Sequence, residues 1–418
     1  MTNMKRYSEY KDSGVKWIGE IPSHWESLTL KRIVSLINDK TFEKELPYIA
    51  LENIESYTGR ILPISNIEPE SICNKFNVGD VLFCKLRPYL TKTVIPDFEG
   101  KCTSELLVLR NFKGYNRYLK YILLSPKYVS DINASTYGSK MPRANWDYIG
   151  SSVIPFPPIS EQQAIVSYLD SKISMIDKYI AASEKKIVAL DELKQTIISD
   201  AVTHGINPNV KMKDSSIKWI GEVPEHWSFA KIKNLFKEIS EKGHPEEPCL
   251  CSTQKYGVIP QSMYENRVVV VNKGLENLKF VRKGNFVISL RSFQGGIEMA
   301  YYQGIISAAY TILSLKSEKL NKEFIRILFK SYYFIQLLQT CVTGIREGQN
   351  INYELLKRQF IPIPPLSEQQ SIVSYIDKKT SEIDRLKEAE QAQIEKLKEY
   401  KQRLISDVVT GKVKVTND

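Results

Sequence analysis

The chain has 418 residues, 42% of them hydrophobic and 25% charged, with a formal net charge of +10. This length is too great for one ordinary core and predicts two domains. The basic balance points to a polyanionic partner, most simply nucleic acid, and no apolar run approaches the length of a bilayer span.

The opening residues, MTNMKRYSEYKDSG, hold no apolar signal core, so a cytoplasmic protein is expected. Six scattered Cys without a CxxC read as free thiols. Cys249 and Cys251 lie near His244, but no second ligand pair of zinc spacing accompanies them. Residues 11–25 read KDSGVKWIGEIPSHW, and residues 213–227 read KDSSIKWIGEVPEHW. Eleven of fifteen positions match, so the chain is duplicated. Trp17, Trp25, Trp219 and Trp227 are expected to clamp these segments onto their domains, with His24 and His226 as packing residues with a satisfied ring nitrogen.

The regions that follow, 26–153 and 228–360, share a pattern and little identity. Strand-like runs are Leu46–Leu51, Val81–Lys85 and Leu106–Leu109 in the first, and Val268–Val271, Asn285–Leu290 and Ala308–Leu315 in the second. Helical stretches are expected at Asn116–Ser125 and Lys319–Leu338. Each region reads as a compact α+β domain. Each has a Gly-led strand ending in Leu-Arg, GDVLFCKLR and GNFVISLR, and a polar, basic loop further on, YGSKMPRANW and TGIREGQNINY.

These strand ends and loops hold the residue types that read base edges: Arg and Lys for guanine, Asn and Gln for adenine. The candidates are Lys85, Arg87, Lys140, Arg143 and Asn145 in the first domain, and Arg291, Gln294, Arg346, Gln349 and Asn350 in the second. Motifs for catalysis do not appear: there is no GxGxxG, P-loop, HExxH or GxSxG. Asp97, Glu99 and Lys101 imitate a metal-dependent nuclease motif, but only Phe98 separates the Asp from the Glu and the second half has no counterpart.

Each domain exits through a Pro-rich run into a long helix. Residues 154–177 read IPFPPISEQQAIVSYLDSKISMID, and residues 361–384 read IPIPPLSEQQSIVSYIDKKTSEID, with 17 of 24 positions identical. Proline keeps the run extended. Ser160 and Ser367 then stand as N-caps, followed by Glu161, Gln162 and Gln163 and by Glu368, Gln369 and Gln370. Steps of four and three from Leu169 to Ala201 pick out a seam with eight of ten positions apolar, and the same register from Ile376 to Val408 gives six of ten. Lys387, Glu390 and Lys401 interrupt the second seam, which leaves its pairing register, or a polar contact with a partner, open. Two rods of roughly 60 Å most simply bury their seams against each other. The predicted layout is a first domain over 1–153, a central helix over 154–207, a second domain over 208–360 and a terminal helix over 361–418.

The duplicated PPxSEQQ helices and KWIGExPxHW segments resemble the specificity subunit of type I restriction–modification enzymes over essentially the whole chain. The resemblance implies two α+β target-recognition domains, with a pseudo-two-fold duplication, joined by an antiparallel coiled coil of two helices. Each domain would read one half of a split site in double-stranded DNA. The helices would dock two methyltransferase subunits, with restriction subunits completing the complex. The chain would hold no catalytic centre, metal or cofactor; S-adenosylmethionine, ATP and Mg would belong to its partners. Rival readings are a fused restriction–methylation enzyme, which lacks its cofactor motifs here, and a structural coiled-coil adaptor, which the basic charge and sizeable domains disfavour.

Overall fold

The computed structural model describes residues 5–64, 69, 72–265, 273–317, 319–344 and 349–416. The chain divides into two compact units: residues 1–184 with 391–418, and residues 185–390. The divisions fall inside the two long helices, Ile159–His204 and Leu366–Val409, so each unit owns a segment of both.

In the first unit the strands Tyr10–Asp12 and Glu20–Pro22 form an antiparallel hairpin. Its tip delivers Trp17 into the core, edge-on to Tyr128 at 5.3 Å. The next strand, Glu26–Thr29, pairs antiparallel with Val153–Phe156, so the chain leaves the domain beside the point where it came in. Pro155 is tolerated because this sheet has only two strands and needs hydrogen bonds on one edge. Between them lies an antiparallel sheet in the order Ser35–Ile37, Leu106–Arg110, Val81–Cys84, Thr93–Val94. A second sheet runs Lys40–Thr41, Cys73–Phe76, Gly100–Cys102, Tyr48–Ile49, the last pair parallel. Helices Asn116–Leu124 and Pro126–Ala134 cover the first sheet with fully buried Tyr118, Leu119, Ile122 and Tyr128.

The second unit repeats this order despite its different sequence. A hairpin, Met212–Asp214 with Glu222–Pro224, is followed by Ser228–Lys231 paired to Phe360–Ile363. Its main sheet has the same strand order, Phe236–Ile239, Thr311–Leu315, Phe286–Ile288, Glu298–Met299. Leu250–Thr253 pairs with Gly257–Pro260, and Lys279–Val281 with Gly304–Ile306. The expected helix over Lys319–Leu338 is two helices, Lys322–Phe329 and Tyr332–Thr340. The break falls at Ser331, whose hydroxyl accepts from the Phe334 N–H and caps the second. The run Leu46–Leu51 yields only Tyr48–Ile49, and Val268–Val271 lies outside the described residues.

The long helices start one residue before the expected serine cap. The carbonyl of Pro158 accepts the N–H groups of Glu161 and Gln162, so Ser160 lies in the first turn. The Pro365 carbonyl likewise accepts the Gln369 N–H, which places Ser367 inside its helix. Every seam position is buried or half-buried. Within each unit the paired segments run antiparallel. In the first, Tyr118 joins the Pro155 and Val409 carbonyls while Asp177 pairs with Lys401 at 2.7 Å. In the second, Lys186 pairs with Glu390, Asp191 with Lys387 and Lys194 with Asp384. The charges that interrupted the second seam are thus answered by opposite charges on the facing helix, which settles the register. Among the described residues no helix is long and apolar enough to cross a membrane.

Candidate nucleic-acid interface

In the first unit the strand Val81–Cys84 runs out into Lys85, Leu86 and Arg87, and the loop 137–145 folds back against them. The Lys85 carbonyl accepts from Ala144, and the Lys85 N–H donates to Glu105. Leu86 forms a β-bridge with Arg143, which also bridges Tyr137. The Arg87 N–H donates to the Pro142 carbonyl at 2.7 Å. All five candidates of this domain therefore lie together, although more than fifty residues separate the strand from the loop.

Their side chains are not equivalent. Arg143 spends its guanidinium on Glu105, with Nε at 3.0 Å and Nη2 at 2.9 Å from Oε1, a fork-to-carboxylate pairing that pushes its pKa further up. Asn145 caps the helix Trp146–Ser151 by accepting the Tyr148 N–H at 2.9 Å. Lys140 is exposed and Lys85 half-buried. Arg87 has φ +48° and ψ 61° immediately before Pro88, and its buried Nε has no hydrogen-bond acceptor. Among the described residues its one polar side-chain contact is Nη2 to the Lys140 carbonyl at 3.4 Å. Sequence reasoning did not single out Tyr57, Tyr89 and Thr91 beside it. The Tyr57 hydroxyl donates to the Tyr89 carbonyl at 2.8 Å, and the Tyr57 N–H donates to Thr91. The Arg-Pro dipeptide gave no signal of this turn, because a residue before proline ordinarily favours extended backbone.

In the second unit, Arg291 lies three residues past the end of the corresponding strand, Phe286–Ile288, and precedes a helical turn, Ser292–Gly295, that carries Gln294. Both side chains are exposed. The Ser292 hydroxyl accepts the Ser289 N–H at 2.8 Å and fixes the turn. This turn packs beside the short strand Asn350–Ile351, which pairs with Val342–Thr343. Gln349 and Asn350 are exposed, and Arg346 lies outside the described residues. A cavity of about 470 Å³ opens by Arg291, with Gln254, Tyr256 and Glu298 in its lining. Glu298 is buried and takes a 2.6 Å hydrogen bond from Lys330. Burial outweighs this pairing and pushes its carboxyl up to about 7.

The SEQQ residues divide in two. Glu161 fastens the opening segment: it accepts from the Tyr7 hydroxyl at 2.9 Å and the Trp25 indole at 3.0 Å, and His24 Nε2 lies 2.6 Å away. Gln162 is fully buried, accepting the Tyr115 N–H and donating to the Pro157 carbonyl, both at 2.8 Å. Gln369 repeats this with the Asn321 N–H and the Pro364 carbonyl, and Glu368 pairs with His226 at 2.8 Å. These four side chains hold their own unit together, and each histidine has the expected satisfied ring nitrogen, on the helix glutamate, while its side chain stays about half exposed. Ser160, Gln163, Ser367 and Gln370 are exposed. No group of three or more His, Cys, Asp and Glu among the described residues can hold a metal ion. His244 bonds Glu241 and stacks on Phe280, and Lys101 is buried with Nζ on the Glu43 carbonyl.

The family model described as the type I restriction modification DNA specificity domain matches residues 22–187 and again 224–396. The MjaVIII type I restriction enzyme specificity subunit of Methanocaldococcus jannaschii is 24% identical, over 98% of this chain and 98% of its own. Among solved structures, a chain from a study of complex assembly and conformational transition in a type I R-M system aligns with a TM-score of 0.68. It is 18% identical and covers 93% of this chain and 98% of its own. The HsdS subunit of Thermoanaerobacter tengcongensis aligns with a TM-score of 0.54 at 19% identity, over 94% and 98%. With the domain matched twice over most of its length, the chain belongs to the type I restriction modification DNA specificity family and is a specificity subunit, not a catalytic one.

Proposed function

We propose that each unit reads one half of a bipartite double-stranded DNA site, and that the long helices dock two copies of a methyltransferase subunit. The observation that carries the reading is the same construction made twice from unlike sequence. A strand end bearing Arg and a polar loop distant in sequence lie side by side, Arg87 with 137–145 and Arg291 with 349–351. A framework kept constant beneath divergent loops is what two readers of different half-sites require.

The docking half of the reading rests on the helices. Ile159 and Leu366, Tyr179 and Leu386, and Tyr400 and Leu193 are large apolar residues exposed at positions that correspond under the 207-residue shift. Equivalent apolar positions on each unit suit two copies of one protein partner. S-adenosylmethionine, ATP and Mg would come with the methyltransferase and restriction subunits.

The test is to map methylated sites left by the assembled enzyme after changing Arg291, Gln294 and Asn350 together to Ala. One half-site should relax while the other keeps its sequence, each lost bidentate contact costing on the order of 1–3 kcal/mol. Simultaneous relaxation of both half-sites would show that the domains do not read independently.

A further inference from the structure

Of the five candidates in the first domain, two are already committed: Arg143 to Glu105 and Asn145 to a helix cap. Arg87 differs from them in three ways. Its backbone is left-handed at φ +48°, which a branched-off Cβ resists, and the following proline adds a second steric penalty. Its Nε is buried without an acceptor. Its Nη1 has no acceptor among the described residues, and Nη2 has only the long contact to Lys140.

The strain is not confined to Arg87. Thr91, at the far end of the same turn, has φ +51°, and Tyr57, bonded to that turn, has φ +65°. Three of the five left-handed non-glycine residues among those described thus gather at one place. Strain of this kind persists only where the surroundings enforce it. Here the enforcement is visible: Arg87 N–H to Pro142, Leu90 N–H to Arg87, Thr91 N–H to Pro88, and Tyr57 N–H and hydroxyl to Thr91 and Tyr89. The turn is a rigid mount that holds one underused guanidinium at the end of a core strand.

We propose that Arg87 is the specificity-determining side chain of the first domain and that its guanidinium reads a guanine in the major groove. The inference rests on the DNA-reading function proposed above. Guanine offers O6 and N7 as paired acceptors, which match two guanidinium N–H donors, and a fixed turn limits the entropy lost in making that contact. Arg143 and Asn145 are then positioning residues that shape the loop beside it.

The experiment uses the full chain assembled with its methyltransferase subunits. Methylated sites are mapped for the parent and for Arg87→Lys, Arg87→Gly and Arg143→Lys. Arg87→Lys keeps the charge and loses the fork. One G·C position in one half-site should become degenerate, and methylation of the parent site should fall roughly 10- to 100-fold. Arg87→Gly should give the same degeneracy with an unchanged or higher melting temperature, because glycine relieves the left-handed strain. Arg143→Lys should leave the recognised sequence intact.

Several results would overturn the assignment. A uniform fall over all sequences with a weaker salt dependence would make Arg87 a phosphate contact. So would full activity of Arg87→Lys at the unaltered site. Degeneracy at an A·T position, or in Arg143→Lys instead, would assign the readout elsewhere. A lower melting temperature in Arg87→Gly with unaltered specificity would make Arg87 structural. A parent assembly that marks DNA without sequence preference would overturn the functional reading itself, and this proposal with it.

Discussion

Glu298 shows how a single side chain can carry a measurable signature of its unit. It is buried on the strand Glu298–Met299, bonded to Lys330, and its carboxyl is raised to about 7 from 4.5. A raised carboxyl binds its proton more tightly in the folded chain. The stability it contributes is fully present below pH 4.5 and is lost as pH rises through about 7. Between roughly pH 5 and 8 this group alone should remove about 2–3 kcal/mol. Glu298→Gln cannot titrate, so its stability should fall by that much less over the same interval. Hydrogen exchange of peptides from residues 279–330 at the two pH values measures the difference, and equal slopes for parent and variant would contradict the assignment. Arg143 teaches a different lesson at the same scale. Its residue type suited base reading, but Glu105 lies 38 positions away in sequence and occupies it. The residue type of Asn145 also suited base reading, although Asn before Trp-Asp is a helix-start signal and the side chain is spent on that cap.

At the level of elements, the long helices were readable from the duplicated Pro-rich run, the SEQQ segment and the seam. Their first residue was not, because the Pro158 and Pro365 carbonyls compete with the serine for the cap position. The strand and helix interiors were less legible. Short runs such as Leu46–Leu51 satisfy strand propensity, but pairing partners elsewhere decide how much of them extends. The polar seam positions could not be read alone, since each needs its partner on the other helix. They now separate two equivalent ion pairs that should differ in strength. Asp177–Lys401 and Asp384–Lys194 correspond under the 207-residue shift. The side chains of the first are 22% and 10% exposed, those of the second 48% and 26%. Asp177 also receives Arg60. Breaking the more buried pair strands a lysine away from water, so Asp177→Asn should destabilise by about 2–3 kcal/mol. Asp384→Asn should cost under about 1 kcal/mol. Local hydrogen exchange of the two helices separates these effects, and equal losses would mean that burial does not set the difference.

The duplication has a consequence for the whole molecule. The first unit is completed by residues 391–418, whose Leu404, Ile405, Val408 and Val409 enter its core. The first long helix carries Ile197, Ile198, Ala201 and Val202 at the corresponding positions, and Lys194 where the second has Lys401. A fragment of residues 1–210 therefore contains both halves of the required contact, Asp177 to accept and Lys194 to donate. It cannot fold its single helix back on itself without Gly or Pro, so the contact must come from a second copy. The fragment should be a two-fold dimer, each copy supplying its residues 184–203 in place of 391–410. Of these four core positions only Val408 to Ala201 loses volume, which should cost on the order of 1 kcal/mol per site. Asp177→Lys should make the fragment monomeric by opposing like charges. Adding Lys194→Asp should restore the dimer with the pair reversed. Sedimentation equilibrium reads all three species. A monomeric parent fragment, or a dimer indifferent to both charge changes, would mean that the two helix copies are not interchangeable. With methyltransferase subunits added, the dimer should mark a palindrome built from the half-site of the first domain. Modification by the fragment of the same sites as the parent would show instead that one domain reads the whole site.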